Sequence, residues 1–581
     1  MDPAGSADAY SAKARPPLRP DMTVRQVAAD YPGCREVLRR YGEPERPSAK
    51  FGHLEPLDHF ARRHGHDPKQ LLEELAQAAG TEIDWQGRQA ESVHRPFLLS
   101  ALLVTLSLGA GWGAWLLWEI GQAGRFTAAP VGHVVAHGEA QLWGFIVLFV
   151  VGIALRYLPR SAAGPLPRPL FCRLLLAALL LGVVGGFFWA MGPEQLHWLG
   201  PLSGLSLVVA VLGFLTFLSR QLAGKLHFSW ARLIGAAGLW MTIWAGVTFT
   251  LRYRQSAAGP GSYSEPLRQL LMELAIFGFA LNAIYGFGQR LLPGIAGSTT
   301  PYGLALESTF WLHNTGLLLL LPASLGWSLW LEVWATTLLL AAALAYAIGM
   351  RGFLRVRRST PRPEVGEALL VRYVQLAFFW LLAALILLVG GECWAAIRSQ
   401  PLPHAYLGSV RHALTVGFMT TLILGVGQRL VPILGHTLLA WPRLVAPIFL
   451  LIATGNLLRV STEMATLAAA PAFGIMPLSA LLELAALALF AANIGRTLWP
   501  PLDPLLRSGR ATLRTSVALL LAEHPWLEDQ LLDWGLGYIG RTRSVPRELT
   551  LGTLARSEGK EPEELLARVN DLLQKRRNTS R

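Results

Sequence analysis

Charge is scarce in this 581-residue chain: Asp, Glu, Lys and Arg together make up 15% of it, while hydrophobic residues make up 52%. A soluble domain carries about 25% charged residues. The deficit excludes a soluble enzyme and a disordered chain, because most of the sequence has too little polar surface to face water. Cysteine is scarcer still. Cys34, Cys172 and Cys393 are the three in the chain, too few for a disulfide framework or a multi-cysteine zinc site. Acidic residues are outnumbered, 38 against 51 basic, for a net charge of +13. Residues 1–20 are rich in Pro, Ala and Arg and lack the apolar core of a secretory signal, so no such signal is expected.

Long apolar runs take the place of the missing charge. A membrane helix needs roughly 20 mostly apolar residues. Twelve such helices are expected, near 97–120, 131–158, 170–191, 198–218, 229–251, 266–292, 303–322, 328–350, 369–393, 404–433, 443–461 and 473–500. The expected fold is therefore all-α and polytopic. The connections after even-numbered segments hold Arg156, Arg160, Arg168, Arg173, Arg220, Lys225, Arg232, Arg290, six arginines between Arg351 and Arg372, Arg429 and Arg443. The other connections hold Arg125, Arg252, Arg254, Arg268, Arg398 and Arg459. Basic residues favour the cytoplasmic side. Both termini are thus expected in the cytoplasm of a bacterial inner membrane, and the +13 reflects topology and contact with lipid rather than nucleic acid.

The polar ends repeat one another. After a tail at 1–20, residues 21–90 contain TVRQVAADYPGCREVLRRYGEP and then LDHFARRHGHDPKQLLEELAQA. Residues 510–575 contain SVALLLAEHPWLEDQLLDWGLG and then LGTLARSEGKEPEELLARVNDLL. Pro32 pairs with Pro525, Gly42 with Gly535, Gly65 with Gly559 and Pro68 with Pro562. Each unit reads as two or three short amphipathic helices, the last one starting at its Pro. The unit resembles a small helical domain of unknown function, of the DUF1858 type, found in bacterial redox and stress proteins. In the related iron-cluster repair proteins a Cys pair follows the first Gly. Here Glu43-Pro44 and Leu536-Gly537 stand in its place. A docking or oligomerisation role for redox or stress-response partners is what remains. His53, His59, His64 and His66 read as solvated surface residues, with weak metal binding by His64 and His66 as the alternative.

Inside the apolar part a second repeat appears. Three segments close on Arg-x-x-Pro: Glu139 to Pro159, Glu273 to Pro293 and His412 to Pro432. Each has Gly-Phe five residues after its polar start, at 144–145, 278–279 and 417–418, and Arg twelve residues after that Gly. These are segments two, six and ten, so the period is four helices. Twelve helices then form three four-helix units about a pseudo-threefold axis, unlike carriers built from two six-helix halves. Glu139, Glu273 and His412 occupy equivalent places near the outer ends of these helices. Ionisable groups there imply function. Arg156, Arg290 and Arg429 sit at the inner ends, where snorkelling explains them.

His133 and His137 are four apart and share a helix face. His404 and His412 are eight apart, about 12 Å along a helix. His313 lies in segment seven. Imidazole suits haem iron, copper and zinc. The threefold plan with His on segments two and ten resembles the catalytic subunit of haem-copper oxidases and nitric oxide reductases. His137-Gly138 before a Gly-Phe helix is similar to the motif that supplies a low-spin haem ligand there. More closely, HALTVGFMTTLILGVGQRL at 412–430 and His137-x-Glu139 resemble the signature of the NnrS family. Those are twelve-helix membrane proteins associated with haem, copper and nitric-oxide stress. Here segment six has Glu273 and no His, segment seven has His313-Asn314 rather than His-His, and Leu414 stands where a low-spin ligand would follow His412. The resemblance therefore implies one haem held by His412, or by His137 with His412, with His133 and His404 as further candidates. A copper or other non-haem metal would fall to His313, Glu273 and Glu139. Oxidoreductase activity related to nitric oxide reductase or oxidase is left open. The alternatives are a proton-coupled transporter of a metal or small molecule, and a scaffold that recruits partners through its ends.

Overall fold

The structure, a computed structural model, describes most of residues 92–499 apart from 162–166, 193, 259–262, 297–302, 351–364 and 435–438. It also describes parts of the polar ends, chiefly 24–41, 66–83, 526–541 and 549–579. The tail before residue 18, His53, His59, His64, His436, Gly42, Gly65 and most of the arginine-rich stretch after Arg351 lie outside the described residues.

Among the described residues, eleven helices are long and apolar enough to cross a membrane. They are α1 (His94–Ala123), α2 (Val131–Pro159), α3 (Pro169–Met191), α4 (Leu199–Leu222), α5 (Ser229–Arg254), α6 (Glu265–Leu292), α8 (Leu329–Gly349), α9 (Leu369–Arg398), α10 (His404–Pro432), α11 (Pro442–Ala465) and α12 (Ala472–Leu498). The chain between α6 and α8 also forms a helix, α7 (Gly303–Ser324). It falls short of the expected seventh span in apolarity, because Glu307, Ser308, Thr309, His313, Asn314 and Thr315 dilute it. Arg252, Arg268 and Arg459, read from the sequence as loop charges, lie within α5, α6 and α11. Arg252 and Arg459 are 1% and 5% exposed. Arg156 is fully buried rather than reaching for the interface, and Arg290 rests 5.1 Å over the Trp230 ring.

Burial separates the helices into two classes. In α2, α6 and α10 the apolar stretch is 89%, 72% and 72% buried, against 50% or less in the other eight. The outer helices show Leu103, Leu174, Trp311, Phe379 and Ile397 on their outward faces, as side chains facing lipid do. Each of the three inner helices widens into a π turn, at Ala140–Val147, Leu274–Leu281 and Ala413–Thr420. Each turn begins immediately after Glu139, Glu273 or His412. Such turns, bonded i to i+5, are rare and gather at functional sites.

The Gly-Phe pairs have a packing role. A Cβ on Gly144 would stand 2.3 Å from Val104 Cγ1 of α1, on Gly278 3.0 Å from Trp240 Cβ of α5, and on Gly417 2.7 Å from Trp380 Cγ of α9. Eight residues on, a Cβ on Gly152, Gly286 or Gly425 would stand 2.8 Å from Phe97 Cβ, 2.6 Å from Ile234 Cγ1 and 2.4 Å from Tyr373 Cβ. Each inner helix thus packs against the helix preceding it, with small residues permitting the close approach. Phe145, Phe279 and Phe418 are buried beside these contacts.

The inner helices also line a common apolar pocket. Ile146, Phe149, Val150 and Ile153 of α2 line it, as do Ala280, Ala283, Ile284 and Phe287 of α6 and Met419, Leu422, Ile423 and Val426 of α10. Counted from the Gly of Gly-Phe, these are the same four positions in each helix.

The polar ends group apart from Val93–Trp499 as a separate unit. On the N-terminal side, helices Val24–Asp30, Arg35–Arg40 and Pro68–Ala79 enclose Val27, Tyr31, Leu38, Leu71 and Leu75. Asp67 caps the last of these by accepting a hydrogen bond from the Lys69 amide at 3.0 Å. Cys34 is buried, its thiol donating to the Leu75 carbonyl at 3.3 Å, so it serves the core. On the C-terminal side the helices are Leu527–Asp533, Tyr538–Arg541, Leu551–Ser557 and Pro562–Thr579. The last helix begins at its Pro on both sides. Gly535 and Gly559 take φ of 82° and 67°, which favours glycine.

Candidate functional site

On α2, His133 and His137 both face α1. The His133 ring lies 5.8 Å from Trp112 and 5.8 Å from Trp115. His137 Nδ1 lies 2.9 Å from the Gly109 carbonyl oxygen. A π turn of α1 ends at Gly109, whose backbone leaves helical geometry (φ −87°, ψ −107°). One turn on, a Cβ at Gly113 would stand 2.4 Å from His137 Cε1, so the ring fits because position 113 has no side chain. As Nδ1 donates to a carbonyl, Nε2 of the neutral ring carries the lone pair.

His412 of α10 repeats this arrangement with an additional partner. Its Nδ1 lies 2.9 Å from the Gly408 carbonyl oxygen and 3.2 Å from Glu463 Oε2 of α11. Arg459, one turn before Glu463, places Nη2 3.2 Å from the same oxygen. The His412 side chain keeps 26% of its surface exposed, whereas that of Glu463 keeps 3%. His137 stands close enough to His412 and Arg459 to feel their charges. Among the described residues, Nε2 of both rings meets no hydrogen-bond partner. Two imidazoles, each with Nδ1 committed and Nε2 open, suit metal or haem coordination, in which the second nitrogen fixes tautomer and orientation. His404 begins α10 and stacks edge-on against Phe126 at 5.2 Å.

The residues expected to hold a non-haem metal are not gathered. Among the described residues no group of three or more His, Cys, Asp or Glu stands ready to hold a metal ion. Glu139 accepts from Arg252 Nη2 at 2.6 Å, and the same guanidinium donates to Ser203 Oγ at 2.7 Å and the Gly182 carbonyl at 3.1 Å. Glu139 thereby ties α2 to α5. His313 is fully buried, with Nε2 2.8 Å from the Phe277 carbonyl and the ring edge-on to Tyr285 at 5.4 Å. Glu273 accepts from Ser324 Oγ at 2.6 Å and Gln269 Nε2 at 3.0 Å.

Glu273 instead faces a pocket between α6, α7, α8, α9 and α10. Glu265, Glu332, Glu392 and Arg411 line it too. Glu332, Glu392 and Glu463 are not among the residues expected from the sequence, and Arg459 is expected in a loop. Their signal was there to read, since each is an ionisable residue within an apolar span. Arg459 and Glu463 also have the i, i+4 spacing of an ion pair.

A family model described as NnrS protein matches residues 91–501, well over half of the chain. The chain belongs to the NnrS family. No curated protein matches it.

Proposed function

We propose that this member of the NnrS family is a haem-binding protein of the bacterial inner membrane that acts in nitric-oxide or nitrosative-stress metabolism, with His137 and His412 as the haem ligands. The observation that carries this reading is the matched state of the two rings. Each gives Nδ1 to a backbone carbonyl and leaves Nε2 open, with no competing partner for it among the described residues. When bound, haem supplies an iron that exchanges single electrons and binds diatomic gases. The chain's own residues orient the two imidazoles, exclude lipid with the Trp112, Trp115 and Phe126 rings, and set the local field through Arg459 and Glu463.

The architecture we infer alongside it has α7 as a twelfth span and three four-helix units about a pseudo-threefold axis. Equivalent positions of α2, α6 and α10 lining one cavity support it. The basic connections support cytoplasmic termini, which would put the duplicated ends where redox or stress-response partners are found.

A reduced-minus-oxidised spectrum of the purified protein, expressed with ample haem, is the test. A Soret band is expected, and His137→Ala and His412→Ala should each remove most of it, while His133→Ala retains it. Absence of the band from the unaltered protein sinks the reading. A second reading, proton-coupled transport of a metal or small molecule, draws on the Glu273 cavity and its facing carboxylates. Transport abolished by Glu273→Gln in a protein without a haem spectrum would favour it.

A further inference from the structure

We infer that Glu463 is a positioning residue for His412: it draws on the Nδ1 proton, fixes the plane of the ring and makes its Nε2 the stronger donor of the two imidazoles. The inference rests on His412 being a haem ligand. Four observations carry it. Glu463 Oε2 lies 3.2 Å from His412 Nδ1, on a different helix, so the contact is not a by-product of helical spacing. The carboxylate is buried, and burying an ionised group needs a partner. Arg459 supplies a fixed positive charge at 3.2 Å. Position 408 is shaped to admit it, since a Cβ on Gly408 would stand 2.0 Å from Glu463 Oε1.

The consequence follows from asymmetry. His137 Nδ1 meets only the neutral Gly109 carbonyl. His412 Nδ1 gives its hydrogen to the Gly408 carbonyl and also has the Glu463 carboxylate 3.2 Å away. A charged acceptor pulls harder on the proton than a neutral one. The ring behind it becomes more basic and a stronger donor to a metal. A stronger imidazole donor would favour an oxidised iron. With haem bound, Glu463 would thus bias it toward the ferric state and slow its loss.

The test is a redox titration of the purified full chain with its haem, following the Soret band. In Glu463→Gln the haem is retained and the midpoint potential rises, with the ferric-to-ferrous balance shifting roughly tenfold, or about 59 mV for one electron. Haem is also lost faster to apomyoglobin. Gly408→Ala, which displaces the carboxylate without removing it, shifts the potential in the same direction and carries the test where Glu463→Gln does not fold. Unchanged potential and unchanged haem release in a folded variant overturn the positioning role alone. A haem-free unaltered protein overturns the ligand assignment beneath it.

Discussion

Arg252 and Glu139 form a buried ion pair, with side chains 1% and 17% exposed. The guanidinium is held by two further acceptors, and Gly186 makes room for it, since a Cβ there would stand 2.3 Å from Arg252 Nη2. Removing one partner of such a pair strands the other charge and costs about 3–5 kcal/mol. Arg252→Met should therefore lower the thermal unfolding temperature in detergent sharply, and adding Glu139→Gln should restore part of it, a coupling that a double-mutant cycle reads. The haem spectrum should survive both changes. At this scale the sequence was half legible. An ionisable residue at the head of each repeat stood out, but what it does depends on the helix across from it. Arg252 and Arg459 looked like loop charges because each lies near the end of its span, and only the fold shows each turned inward onto a carboxylate.

At the scale of the element, the three inner helices owe their position to glycine. Gly425 allows α10 to meet Tyr373 of α9, whose hydroxyl donates to the Val445 carbonyl of α11 at 2.8 Å. A branched side chain at 425 would separate all three helices. Overpacking of this kind costs about 1–3 kcal/mol. Gly425→Val is expected to reduce the folded yield on size-exclusion chromatography and lower the unfolding temperature. Gly246→Ala in α5, where an added Cβ meets nothing within 4 Å, should leave both unchanged. The Gly-Phe repeat was visible in the sequence. The second glycine of each repeat, eight residues later, did not stand out there, since Gly is common in this chain and only the close approach of a neighbouring helix distinguishes these three. The π turns left no trace in composition at all, because a widened turn uses the same apolar residues as an α-turn.

Over the whole molecule, apolar content announced a polytopic bundle and the polar ends a separate unit. In α7 the polar residues outweigh what a span of its length carries, and two of them turn inward, His313 buried and Asn314 accepting from Trp240 Nε1 at 2.9 Å. If the basic connections orient the chain as proposed, a reporter enzyme fused after Arg581 that is active only in the cytoplasm should be active, and one active only outside should be silent. The opposite result would invert every depth assigned above, placing His137 and His412 near the inner surface. The three π turns add a matter of descent. A turn bonded i to i+5 takes one residue more than an α-turn, so each records an extra residue at the same distance from the same Gly. If the three four-helix units proposed above share one ancestor, a single insertion copied with that unit accounts for all three turns, and the widened turn is then older than the difference between Glu139, Glu273 and His412.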